Sequence, residues 1–342
     1  MNGLKFNGLK WMAVIVSMAF PCVGMAITTM TVGGSGSGHY ATIQAAVNAL
    51  PSTGGQINVT PGTYKEQVTI TKPNVRLIGQ GTSAESTILT DDLSSSGSSD
   101  QASSTLIVIA AGFFAENIEI ANTYTQEGNT QVPALAVFLR SDKSVFRNVD
   151  LVGRQDTIYI GSQGCTSSTC TPARTYIYGS IIEGNVDFIF GDGAAVFDSC
   201  VLQIDEHGST SGETTMTAQN KAFTNYLSGY VFYNSQINAN PTNLTNDYLG
   251  RPWGTYSTTV FINTSMQAPI ASAGWIEFTP GVTNNLPTSY YAEYGSTGPG
   301  AAGYTNKTRE TYAVYLTSSE TTQYQPDNYL KGSDSWVPTS VY

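Results

Sequence analysis

Four segments of this chain spell variants of one phrase. VFRNVDL (145–151), VFDSCVL (196–202), VFYNSQI (231–237) and VFINTSM (260–266) each set an apolar residue beside an aromatic one, place a polar residue two positions on, and close on another apolar residue. Their first valines lie 51, 35 and 29 residues apart, and TYIYGSIIEG (175–184) fits between the first two as a further unit. Such repetition without long helices marks a solenoid, where each unit covers its neighbour's apolar face and Asn or Asp turns stack. A β-sandwich also has many short strands. The repeated phrase favours a parallel β-helix over it.

Much of the remaining chain reads as short β-type runs broken by Gly, Asn and Asp, such as QINVTPGTY (56–64), NVRLIGQG (74–81) and STLIVIA (104–110). HYATIQAAVNAL (39–50) is the good helix candidate, with Ile43, Ala46, Val47 and Leu50 on one face. The expected fold is therefore all-β, a single-stranded parallel β-helix with a short N-terminal capping helix. The low-complexity run DDLSSSGSSDQAS (91–103) reads as an exposed loop.

Residues 1–26 carry Lys5 and Lys10, the apolar run Trp11–Phe20, a break at Pro21 and the small residues Gly24 and Ala26. This is the pattern of a secretory signal cleaved after about Ala26, and the apolar run is shorter than the roughly 20 residues a bilayer needs. A secreted, extracellular mature chain of one domain (27–342) is expected, monomeric and free of the membrane after signal cleavage. Removing Lys5 and Lys10 leaves 13 basic against 25 acidic side chains. That balance excludes a nucleic-acid binder, since no basic stripe can displace counterions from phosphate. Export makes Cys165 and Cys170, which flank TSST in a Gly/Pro loop, an expected disulfide, while Cys200 reads as a small core residue. No metal or cofactor is expected, because no His or second close cysteine pair sits near that loop.

The unusual polar residues lie beside apolar runs. RQDTIYI (154–160) carries Gln155 and Asp156, NVDFIFGDG (185–193) carries Asp187, and DYLGRPWG (247–254) carries Arg251 and Trp253. Asp156 and Asp187 are 31 positions apart. Discounting the cysteine loop leaves about one solenoid turn, which places them on adjacent rungs roughly 4.8 Å apart. Two carboxyls so close separate into a protonated acid and an anion, and Arg251 is the natural cation to grip the anion bidentately.

PGTYKEQV (61–68), RQDTIY (154–159), NVDFIFGDG (185–193), TAQN (217–220) and LGRPW (249–253) together resemble, in order, the signature segments of pectin methylesterases. GSGHYATIQAAVNAL (36–50), AGWIEF (273–278) and YYAEYGSTGPGA (290–301) extend the resemblance over about 36–301. It implies a right-handed parallel β-helix and a carboxylic ester hydrolase acting on methyl-esterified homogalacturonan. It makes Asp187 the nucleophile on the ester carbonyl and Asp156 the acid that protonates departing methanol, then the base that activates water. Arg251 fixes Asp187 and keeps it ionised, and Gln155 helps hold the oxyanion. Trp253, Trp275, Tyr159 and Phe188 are implied to line the sugar groove.

One position departs from the pattern. Where the family segment begins with Gln, a second oxyanion donor, this chain has Pro133, which offers neither a side-chain amide nor a backbone N–H. Gln131, two residues upstream and on the same face of an extended strand, is the expected substitute. The rival enzyme on such a solenoid is a pectin depolymerase, which would draw on an aspartate cluster with Asp192 near Asp187. A β-helix relative that binds glycan without catalysis is the non-enzyme alternative.

Overall fold

The computed structural model describes residues 27–36, 38–95, 99–124, 132–205, 213–240 and 247–341. The expected signal segment 1–26, Gln131 and His207 lie outside the described residues. Three parallel sheets make up the body, with twelve, eight and eight strands among the described residues. The chain visits them in turn. Strand Ser144–Arg147 lies in the first sheet, Asp150–Val152 in the second and Ile158–Ile160 in the third, after which Arg174–Tyr178 pairs in parallel with Ser144–Arg147 and begins the next coil. The chain thus winds as a right-handed parallel β-helix.

The repeated phrase explains why the coils stack. Its strands lie side by side in the first sheet, so that Phe146, Ile177, Phe197, Phe232 and Phe261 occupy one register position. These side chains point into the solenoid, and the rings of Phe197, Phe232 and Phe261 stack with centroids 4.8 and 4.6 Å apart. The polar residue of the phrase makes the corner into the second sheet. Asn148, Ser199, Asn234 and Asn263 all have φ between 50° and 55°, a left-handed bend that short polar side chains tolerate. Asn263 Nδ2 also donates to Asn234 Oδ1 at 3.2 Å, one step of a corner ladder.

The helix Ile43–Ala49 closes the N-terminal end of the core, as its apolar face predicts, with Ile43, Ala46 and Val47 buried. Thr42 Oγ1 accepts from Ala45 N, and the Glu66 carboxylate accepts from Ile43 N and Gln44 N at 2.7 and 2.9 Å. Short helices that the sequence did not signal, such as Ala302–Thr305 and Pro326–Tyr329, lie in the C-terminal part. The last segment packs over the outer face of the first sheet through Tyr324 and Leu330. Cys165 and Cys170 are bonded, and Cys200 is a buried free thiol whose Sγ lies 3.4 Å from Ile177 O, with burial pushing its pKa up to about 12. Of the 91–103 run, expected as an exposed loop, Asp92, Ser99 and Ala102 are exposed among the described residues, but Ser103 is fully buried and Asp100 lines the groove of the third sheet. Main-chain oxygens of that run are satisfied inside, since Asn122 Nδ2 donates to Leu93 O and Ser103 O.

Candidate active site

Strand Ile158–Ile160 pairs with Val186–Gly191 so that Ile158 faces Ile189. The same 31-residue offset brings Asp156 level with Asp187 on the neighbouring coil, where Asp156 N donates to Val186 O at 3.0 Å. Both aspartates hold positive φ, 63° for Asp156 and 50° for Asp187. The spacing read from sequence thus translates into adjacent rungs.

A bulge sets the direction of Asp187. Val186 faces Thr215 and Ile189 faces Thr217, so Asp187 and Phe188 together oppose the single residue Met216. The extra residue turns Asp187 to the outer groove and sends Phe188 and Ile189 together into the core. Asp187 is then fully engaged. Its N–H donates to Thr215 Oγ1 at 3.2 Å, and Thr215 Oγ1 donates to Asp187 Oδ1 at 2.8 Å. Arg251 Nε donates to Oδ1 at 2.9 Å and Nη2 to Oδ2 at 2.6 Å, a fork-on-carboxylate pair. Burial alone would lower the Arg251 pKa, but the bonds to Asp187 outweigh it and hold the guanidinium above its ordinary value.

Asp156 has the opposite environment. Burial first, then the like charges of Asp187 and Asp100, push its carboxyl well above the usual carboxylate range, with Arg251 opposing only in part. These surroundings favour the protonated form of Asp156, while the ion pair belongs to Asp187.

The turn that delivers Arg251 is built by TAQN and GRPW together. Ala218 faces Arg251 in the third sheet, and the buried Gln219 accepts at its backbone oxygen from Trp253 N and Gly254 N, both at 3.1 Å. Gln219 Oε1 accepts from Lys221 N and Thr258 N. Gly250 is required there, because a Cβ would sit 2.0 Å from Thr217 Oγ1. Glu277 accepts from Asn284 N and Asn285 N, and Asn285 Nδ2 donates to Pro252 O at 3.1 Å, which braces the turn from the other side.

Asp100, Gln155, Asp156, Asp187, Phe190, Ala218, Arg251, Trp253 and Phe278 line a cavity of about 240 Å³. Rings run past it in sequence. Phe138 stacks on Tyr159 at 4.7 Å, Tyr159 meets Phe190 edge-on at 5.1 Å, and Trp253 lies 6.3 Å from Phe190 and 6.2 Å from Phe278. Trp253 is 38% exposed, as a groove residue should be. Two expected groove residues are not there. Phe188 is wholly buried, because the bulge reverses its parity, and Trp275 is wholly buried as well, stacked on Tyr291 at 5.2 Å inside the solenoid. Phe190 and Phe278 take the groove positions instead, two residues after Phe188 and three after Trp275. Asp100 was missed for want of any local signal in a Ser-rich run. Asp192 accepts from Ser162 N at 2.8 Å and stands outside the cavity lining, so the aspartate cluster of a depolymerase is not assembled around it. Beyond Tyr159, Gln101, Arg140, Gln163 and Gly164 line a second cavity of about 520 Å³, with the disulfide loop at its edge.

An outward-facing carboxyl pair, one member clamped by arginine and both flanked by aromatic rings, lies in the groove of a right-handed parallel β-helix. Comparison with known proteins gives the particular family. The pectinesterase family model matches residues 29–333. The chain is 35% identical over 313 residues to probable pectinesterase/pectinesterase inhibitor 17 of Arabidopsis thaliana, a match covering 90% of this chain and 57% of that longer protein. The solved pectin methylesterase from carrot superposes with a TM-score of 0.79 at 31% identity, covering 92% of this chain and 96% of that one. A pectin methylesterase solved in complex with a hexasaccharide superposes at 0.73 with 27% identity, over 92% of this chain and all of that one. The chain belongs to the pectinesterase family.

Proposed function

We propose that this protein is a pectin methylesterase that hydrolyses galacturonate methyl esters of homogalacturonan to free carboxylates and methanol. The observation that carries this reading is the division of labour between neighbours: Arg251 clamps Asp187, while burial and the nearby like charges favour the protonated form of Asp156 one coil away. The Asp187 carboxylate attacks the ester carbonyl carbon. The tetrahedral oxyanion accepts hydrogen bonds from Gln155, and from Gln131 in place of the donor missing at Pro133. Collapse breaks the bond to the methoxy oxygen, which takes the Asp156 proton and leaves as methanol. Asp156, now a carboxylate, removes a proton from water as its oxygen attacks the acyl carbon, and Asp187 departs as the carboxylate. Atoms and charges balance, and the protonation states of the start are restored.

Tyr159 and Trp253 stack on pyranose faces in this scheme, with Phe190 and Phe278 beside them. The same proposal includes a cleaved export signal at 1–26, a single secreted domain over 27–342 and a monomer. Methanol release from highly methylated pectin, with Asp187→Asn as control, tests it. Falling viscosity without methanol would identify a depolymerase, and pectin binding with neither would identify a non-catalytic relative.

A further inference from the structure

Asp100 touches no reacting atom in the scheme above, although its charge helps raise the Asp156 carboxyl, and it lines the same cavity as Asp156 and Asp187. It also has no part in holding its own loop. That loop is anchored through main-chain atoms: Ser103 Oγ and Ser104 Oγ donate to Asp100 O at 3.0 and 2.7 Å, Gln67 Nε2 donates to Ser104 O at 2.8 Å, and Asn122 Nδ2 donates to Leu93 O and Ser103 O. The Asp100 side chain makes no hydrogen bond or ion pair among the described residues.

The charges around the cavity are unbalanced. Arg251 is its one lining cation among the described residues, and that cation is already bonded to Asp187 through Nε and Nη2. Arg140, the next cation, lies over the Tyr159 ring and lines the adjoining cavity. Burial raises the Asp100 carboxyl and the Arg140 charge opposes that rise, but no cation is hydrogen-bonded to it, so Asp100 when ionised adds to the groove a negative charge that Arg251 does not offset. The proposed substrate is a neutral ester, and its product is an anion formed in the same place. A surplus carboxylate there discriminates between the two.

Resting on the reading given under Proposed function, we propose that Asp100 is an electrostatic filter of the catalytic pocket: it admits the neutral galacturonate methyl ester and weakens binding of the galacturonate product. It is a specificity residue, acting through charge at the groove wall.

Calorimetric titration of a de-esterified galacturonate hexamer and of its per-amide, a neutral isostere, into the native chain tests this without turnover. Asp100→Asn should bind the acid about threefold to tenfold more tightly and leave amide affinity unchanged, as expected for removing one charge in a half-solvated groove. Asp100→Glu should keep the weak native binding of the acid. The gain in Asp100→Asn should shrink at high salt, because exposed charges are screened. Tighter binding of both hexamers, or of neither, would overturn the filter. Weaker binding of both would make Asp100 a hydroxyl acceptor, which also overturns it. Methanol release by the native chain, measured alongside, separates the two readings: a chain that releases methanol but shows no charge discrimination defeats the filter alone, and one that releases no methanol and binds neither hexamer defeats both.

Discussion

Asp156 and Asp187 stand level on neighbouring coils, both with left-handed backbone, yet the Arg251 guanidinium is hydrogen-bonded to Asp187 alone of the two. One register position therefore yields two different acids. The difference comes from the bulge that aims Asp187 and from the side chains that approach each carboxyl.

Asp156 gives stability an unusual pH dependence. Its folded pKa is raised above the ordinary 3.8, so the folded state holds this proton more tightly than the unfolded chain does. The stability linked to that proton is complete below 3.8 and is lost as pH rises through the raised folded value. Asp156→Asn should flatten this loss and be more stable than the native chain on the alkaline side, read from thermal midpoints across pH. The same titration should set the alkaline fall of kcat/KM. A variant less stable than native at pH 8 would contradict the assignment.

Arg251→Ala leaves the Asp187 charge buried without its cation. The cost should approach 3–5 kcal/mol of folding stability, and activity should fall by at least about 10²-fold. Asp187→Asn should instead fold with a near-native midpoint and lose esterase turnover, because a neutral amide cannot form the acyl intermediate. Native turnover in purified Asp187→Asn would remove Asp187 from the nucleophile role, and native turnover in Arg251→Ala would remove Arg251 from the site's machinery.

Phe188 and Trp253 should separate stability from binding. Phe188→Ala empties a fully buried site and should cost about 3–5 kcal/mol by denaturant titration. Trp253→Ala, at a partly exposed groove residue, should leave stability within about 1 kcal/mol and raise KM for methylated oligomers. The reverse pattern would show that Phe188 faces the sugar after all.

Arg174 straps the C-terminal segment to the solenoid. It is almost wholly buried, donates to Asp142 through Nε and Nη2 at 2.8 and 2.6 Å, and reaches Asp334 and the carbonyl oxygens of Leu330 and Lys331. Arg174→Ala should cost about 2–3 kcal/mol, less than a fully buried pair, because Asp142 and Asp334 keep contact with solvent. Hydrogen exchange should show the segment near 330–341 opening before the coils do. Uniform loss of protection would mean that the strap and the solenoid unfold as one unit.

Reduction of Cys165–Cys170 should lower stability by roughly 2 kcal/mol at most, since the bridge closes a very short loop. The loop borders the second cavity through Gln163 and Gly164, so KM for long oligomers should move more than the melting temperature does. Mass spectrometry finding both thiols free in native protein would refute the pairing.

Much of this molecule is local enough to be read from the chain. The phrase VF-x-N/S encodes an inward aromatic and a left-handed corner, because a strand alternates its side chains and a short polar residue tolerates positive φ; Phe232 and Asn234 behave accordingly. The level placement of Asp156 and Asp187 likewise follows from one coil's length. Phe188, Trp275 and Asp100 could not be read this way. The direction of Phe188 depends on a bulge against Met216 on the next coil, and that of Trp275 on the Tyr291 ring beneath it. Asp100 reaches the aspartates only because Asn122 and Gln67, distant in sequence, draw its loop inward. Alternation and turn chemistry are properties of neighbouring residues, whereas bulges and loop closure are settled by whichever coil lies alongside.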